Sequence, residues 1–264
     1  MLEQIESIES YAVNEHSLVK YSQLSKEKRQ ATSAVIWRGV SPVNGDNIMA
    51  VVSGLVKPSD NAKTGVMAQV SILLADMHPV EGYKSGADQA ICGNCPLRLD
   101  QSQNGKRICY VNVGFGESSK FRAMMANKYI DLTPAEVGAI LKERQLGIRF
   151  GSYGDPAMLP FEIVDTIITI AGTKYTSYTH QWTESFFDNR HLKYSMASLD
   201  HVNTVDALQE QHPEARYYRL ADSYENLAQN EVKCPSDKDL ITCAKCGLCS
   251  GTNLKAKSVV IIEE

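Results

Sequence analysis

Four extended runs in the second half of this 264-residue chain constrain its fold more than any other feature. They are IRFGSYGDP (Ile148–Pro156), KYTSYTHQW (Lys174–Trp182), KYSMASLDH (Lys193–His201) and ARYYRLAD (Ala215–Asp222). Each is rich in β-branched and aromatic residues and ends in polar or ionisable groups, which reads as a strand. Helix-like or polar connections separate them, a pattern that predicts parallel pairing. In an α/β barrel or an open α/β sheet, the carboxyl ends of such strands carry the chemistry. The four ends therefore direct Asp155, His180 with Gln181 and Trp182, Asp200, and Asp222 towards one site.

The first half is patterned differently. AVIWRGV, IMAVVSGLV and VMAQVSILLADM read as strands, with Asn44-Gly45-Asp46 and Pro58-Ser59-Asp60 as turns. Their close spacing predicts an antiparallel or mixed start. Residues 117–146 read as helical, with Thr133 as N-cap, Pro134 at the first position and Glu136 completing a capping box. A further helix starts at Pro160-Phe161-Glu162, with Ile163, Val164, Ile167, Ile168 and Ile170 on its inner side. Others are expected over 202–211 and 222–229, and KSVVIIEE reads as a last strand. The expected fold is α/β, an irregular TIM-like (β/α) barrel with a cysteine-rich metal-binding insert and a C-terminal metal site. An open α/β sheet is the alternative. Residues 1–30 read as a polar arm. Residues 31–264 read as one barrel-like domain that includes the loop 78–116 and the cysteine cluster 234–249.

The chain has no apolar run of about 18 residues, which argues against a membrane span. Its first residues, MLEQIESIESYAV, are acidic and lack an apolar core, so a cytoplasmic location is expected. A net charge of −4 argues against general affinity for nucleic acid. It leaves room for a local basic groove from Lys142, Arg144, Arg149, Arg190, Lys193, Arg216 and Arg219.

Seven cysteines, an odd number, in an intracellular chain point to metal ligands before disulfides. Cys92-x2-Cys95 and Cys109 supply three thiols around a turn; His78 is the nearest upstream histidine for a fourth position. Cys234-Pro235 and Cys243-x2-Cys246-x2-Cys249 supply four thiols within sixteen residues. That spacing is the one used for a 4Fe-4S cluster, in reversed order. A tetrahedral zinc ion would take the same four thiolates.

Asp155 and Asp200 sit at neighbouring strand ends beside small residues, Gly151, Ser152 and Gly154 near one, Ala197 and Ser198 near the other. Two carboxylates facing one pocket can divide the work of nucleophile and general acid or base. Each could instead cap the element that follows it. Tyr178, His180, Gln181 and Trp182 combine aromatic faces with hydrogen-bonding edges, a set suited to a planar heterocycle, and Tyr153 could add another face.

RFGSYGDPAMLPFEIV, YTSYTHQW, SMASLD and CPSD…TCAKCGLCSG together resemble phage-encoded tRNA-guanine-transglycosylase-like proteins, the DpdA-type 7-deazaguanine DNA transglycosylases. The resemblance covers about residues 90–251 and implies base exchange in a barrel enzyme. Asp200 would attack C1′ of a deoxyguanosine. After guanine leaves, a free 7-deazaguanine base such as preQ0 would displace the enzyme. Asp155 would recognise the base or act as general base, and Tyr153, Gln181 and Trp182 would hold the purine. DNA, or tRNA, would be the partner, and the location the host cytoplasm. The chain departs from the related tRNA enzymes, whose zinc ligands are C-x-C-x2-C with a distant histidine. Two other classes remain open: an iron–sulfur redox or radical enzyme, and a non-catalytic, metal-stapled nucleic-acid-binding module.

Overall fold

The apolar stretches of the first half form the strands expected of them, because each has enough β-branched residues to fill a sheet covered on both faces. The computed structural model describes residues 19–99, 109–199, 204–237 and 241–262. A short helix α1 (Lys26–Gln30) leads into β1 (Ser33–Val40), β2 (Asn47–Ser53), β3 (Ser59–Asn61) and β4 (Gly65–Leu74). β1 pairs antiparallel with β2, and β2 and β3 pair antiparallel with β4. The antiparallel start is thus as expected.

The loop that follows is less irregular than its sequence suggests. It carries α2 (Pro79–Ser85) and α3 (Gln89–Cys92), and beyond residue 109 a π-turn leads into α4 (Ser118–Met125). β5 (Ile130–Asp131) adds to β1, and α5 (Pro134–Arg144) opens with the expected capping box. The Glu136 amide donates to Thr133 Oγ1 at 3.2 Å, and the Thr133 amide to Glu136 Oε2 at 2.9 Å. Gln145, in the left-handed conformation, ends this helix, one residue before the expected Leu146-Gly147 stop.

From β4 onward the parallel strands follow one another in chain order. β6 (Gly147–Tyr153) lies beside β4, and β7 (Tyr175–Thr176) beside β6. β8 (Tyr178–Thr179), β9 (Met196–Leu199), β10 (Tyr217–Ala221) and β12 (Ser258–Ile262) then pair in sequence, and β11 (Glu231–Lys233) adds to β12. α6 (Phe161–Ala171) and α7 (Thr204–Gln211) are the helices between them. The inner residues of α6 and α5 pack with Ile148 and Phe150 of β6 into the largest core.

The protein is therefore a mixed α/β fold with two sheets, one of seven strands ordered β5-β1-β2-β4-β6-β7 with β3 on β4, and one of five ordered β11-β12-β10-β9-β8. Among the described residues neither sheet closes into a barrel. The parallel strands from β4 onward divide between the two sheets at Ser177, between β7 and β8. There the Ser177 amide donates to the Cys249 carbonyl at 3.1 Å, so the C-terminal segment takes a bond that a neighbouring strand would otherwise make. The expected helix over 222–229 is a series of turns instead. Among the described residues, no helix is long and apolar enough to cross a membrane.

Candidate metal centre

The two cysteine groups lie in different parts of the fold. In the C-terminal group, Cys234 follows β11, and its amide donates to the Val260 carbonyl of β12 at 2.7 Å. Cys243 opens the short helix α8 (Cys243–Cys246), whose first amides reach back to the start of β4: Cys243 N–H to Lys63 O at 3.1 Å and Ala244 N–H to Thr64 O at 2.9 Å. Cys249 bonds the Ser177 break. Three backbone anchors thus bring four thiols from sixteen residues to one place. All four line a single cavity of about 40 Å³, closed by Tyr178, Tyr218, Thr176 and Val259.

As the side chains stand, no three His, Cys, Asp or Glu groups among the described residues meet the geometry of a metal site. Burial pushes the Cys249 thiol up to about 12 and raises Cys234 as well. Tyr178 lines the cavity beside Cys249, and burial, then Cys249, pushes its hydroxyl up. Lys63, Arg149 and Arg216 stand within electrostatic reach of Cys234, Cys243 and Cys249 respectively.

The loop group is built differently. Cys92 ends α3, Gly93 takes φ +55°, and the Cys109 amide donates to the Leu97 carbonyl at 3.1 Å, which brings Cys109 back beside the Cys92–Cys95 turn. Cys92 lies within electrostatic reach of Cys95 and Cys109; burial, then Asp88, holds its thiol well above the ordinary thiol range. The loop also has a polar clamp of its own. Arg98, almost sealed from solvent, binds the Asp88 carboxylate at 2.8 Å and donates to the carbonyls of Gly86 and Gly93. His78, the nearest upstream histidine, caps α2, with Nδ1 accepting from the Val80 amide and its ring against Phe121.

The strand-end residues divide between scaffold and surface. Asp155 is buried, and its carboxylate caps the turn after β6: Oδ1 accepts from the Ala157 amide at 3.0 Å. Oδ2 accepts from the His180 amide at 2.9 Å and from Gln181 Nε2 at 3.3 Å. Gln181, with no exposed surface, spans from there to the loop group. Its Nε2 donates to the Cys92 carbonyl at 2.9 Å, and its Oε1 accepts from the Asn94 amide at 3.2 Å. His180, Gln181 and Trp182 are not the end of a strand; Gln181–Thr183 form a 3₁₀ turn just beyond β8. Trp182 packs in the core beneath β9, with Nε1 donating to the Ser198 carbonyl at 3.3 Å. Tyr153 is buried in the main core. Asp222 is exposed just past β10. Asp200 lies outside the described residues.

The structure thus brings Asp155, His180 and Gln181 together with the Cys92 loop, and leaves Asp222 in solvent. The proposed basic groove is mostly spent on partners: Arg216 on the carbonyls of Gly251 and Lys257, Arg219 on Glu231, Arg190 on Asp188 and Glu162, and Lys193 on Asp165. Arg98, Lys63 and Tyr218 were not singled out from the sequence. Only their distance from the cysteines in the fold marks them. No protein-family model, curated protein or solved structure matches this chain.

Proposed function

We propose that this chain is a metal–thiolate protein. In this reading Cys234, Cys243, Cys246 and Cys249 bind one soft divalent ion of the zinc type. The observation that carries it is the single small cavity lined by all four thiols. The donor set is all sulfur, one of the sets that tetrahedral structural zinc sites use. A divalent ion held by four thiolates is net anionic, and Lys63, Arg149 and Arg216 are the cations around it. Tyr178, which lines the cavity beside Cys249, would supply the outer-shell donor that such sites use to orient a ligand. A bound ion would cross-link β12, the start of β4 and the β7–β8 break, the places where the C-terminal segment touches both sheets. Elemental analysis of protein purified under reducing conditions tests this. We expect zinc on the C-terminal group, lost in Cys246→Ser. Iron with sulfide at that group would replace the zinc reading by a cluster, and no metal there would end it.

A second reading, base exchange in DNA, is favoured by the parallel strands that run in chain order from β4 to β12, the winding of a (β/α) barrel. In it Asp200 remains the nucleophile, but Asp155 becomes a positioning group, since three donors already occupy its oxygens. Labelled guanine and labelled preQ0 would be offered with duplex DNA and with tRNA, and the nucleosides read by mass spectrometry. Label lost in Asp200→Ala supports exchange. No label from folded, metallated protein sinks it.

A further inference from the structure

We propose that the face built by α8 and the amino ends of β4, β6 and β7 binds single-stranded nucleic acid. Lys63, Lys174, Lys245 and Arg149 meet its phosphates, and Tyr110 stacks on a base. The fold gathers these five from distant places in the chain. The Cys243 and Ala244 amides of α8 donate to the carbonyls of Lys63 and Thr64, just before β4. The Ile148 amide donates to the Lys174 carbonyl, which puts Lys174 beside the start of β6. The Lys174 ammonium in turn donates to the Lys245 carbonyl of α8. Arg149, in register with Thr176 of β7, stands within electrostatic reach of Cys243. Its guanidinium lies 5.7 Å from the centre of the Tyr110 ring and donates to the Tyr110 hydroxyl.

Cations without carboxylate partners set this face apart. Arg98, Arg190, Lys193 and Arg219 each sit on a carboxylate. Among the described residues none of Lys63, Lys174, Lys245 and Arg149 does so. The three lysines are exposed, and the buried Nε of Arg149 has no hydrogen-bond partner. A guanidinium with an unused N–H, ringed by lysines, suits phosphate oxygens. Tyr110 is 71% exposed, an aromatic ring held out in solvent, and every base has a face to set against it. A duplex keeps those faces inside its own stack, so the single strand is the partner. An ion on the four thiols would leave the face positive, since Arg216 adds to these four cations. The face lies at the opposite end of β6 from Asp155, so the inference needs neither the ion nor base exchange.

Full-length protein, purified under reducing conditions, would be titrated into fluorescent oligothymidylate and followed by anisotropy over a range of salt. Unlabelled strand, duplex DNA and phosphatidylserine vesicles would serve as competitors. We expect the strand to bind, with log affinity falling linearly in log salt. Lys63→Gln, Lys174→Gln, Lys245→Gln and Arg149→Gln should each lower that slope by about 0.7, one phosphate contact on a single strand. Tyr110→Ala should keep the slope and weaken binding roughly 5–150-fold, the worth of one stacked base. Lys26→Gln and Lys142→Gln, exposed on α1 and α5, should change neither quantity. The proposal is overturned by no binding at low salt, or by a slope lowered as much in these two controls. Displacement by duplex or vesicles as readily as by unlabelled strand overturns it too, as does an affinity unchanged in Tyr110→Ala.

Discussion

Glu231 is buried, and both of its oxygens are committed. It accepts from Arg219 Nε at 2.6 Å and Nη2 at 2.7 Å, from the Tyr217 hydroxyl at 2.9 Å and from the Ala228 amide at 2.8 Å. Burial alone would raise this carboxyl, but the bonds from Arg219, Ala228 and Tyr217 outweigh it and hold it below the ordinary range. Removing the partner leaves a guanidinium sealed without its counter-charge. Glu231→Ala should therefore cost about 3–5 kcal/mol in urea unfolding. His191 works through protonation. It is buried, Nε2 lies 3.0 Å from the Leu159 carbonyl, and Nδ1 is sealed without a partner, so the ring is held neutral. Burial lowers its folded pKa below the ordinary histidine value of about 6.5, although Asp188 and Asp155 pull the other way. The unfolded chain then binds more protons than the folded one as pH falls through 6.5 and below. This contribution to stability is complete above the unfolded pKa and is lost as pH drops beneath it. His191→Gln should flatten the fall in Tm between about pH 7 and 5 relative to wild type; an unchanged slope would show that His191 is not the group being charged.

At the scale of elements, the short pieces matter more than the long ones. α5 and α6 are locally complete, with a capping box, an apolar face and a shared core. β7, β8 and α8 are too short to stand alone: β7 and β8 have two residues each and α8 has four. They are held by the Cys249–Ser177, Cys243–Lys63 and Ala244–Thr64 bonds. If an ion ties the four thiols, a strong chelator should raise amide exchange over 243–251 and at Ser177. α5 and α6 should keep their protection. Uniform loss of protection, or none, would separate the ion from this role. The same scale explains the catalytic reading of Asp155. Its position at the end of β6 was apparent from GSYGDP, but the donors that fill its carboxylate come from residues 157, 180 and 181, the last two across another strand.

Across the whole molecule, the parallel strands from β4 to β12 divide into two sheets at a single residue, Ser177. Two cysteine groups flank them, one at the carboxyl ends of β6 and β8, the other at the start of β4 and on β12. Metallation of the C-terminal group should raise Tm in a manner that depends on free metal concentration, because an ion that binds only the folded state stabilises by mass action. Cys246→Ser should remove that increment, and a Tm indifferent to free metal would count against a bound ion.

Local chemistry determined much of this protein. The alternation and branching in residues 33–40, 47–53, 65–74, 147–153 and 258–262, the Thr133–Glu136 cap and the inner face of α6 could all be read residue by residue, because each depends on neighbours a few positions away. So could the spacing of the thiols. Tertiary structure alone decided the rest. The division into two sheets depends on an amide of residue 177 meeting a carbonyl of residue 249. The order in the cysteine loop depends on Gln181 reaching Cys92 across 89 positions. β3, β5 and β11, of two or three residues, are strands only because a longer partner lies beside them. Such contacts join groups far apart in the chain, and only packing fixes which distant donor arrives at which acceptor.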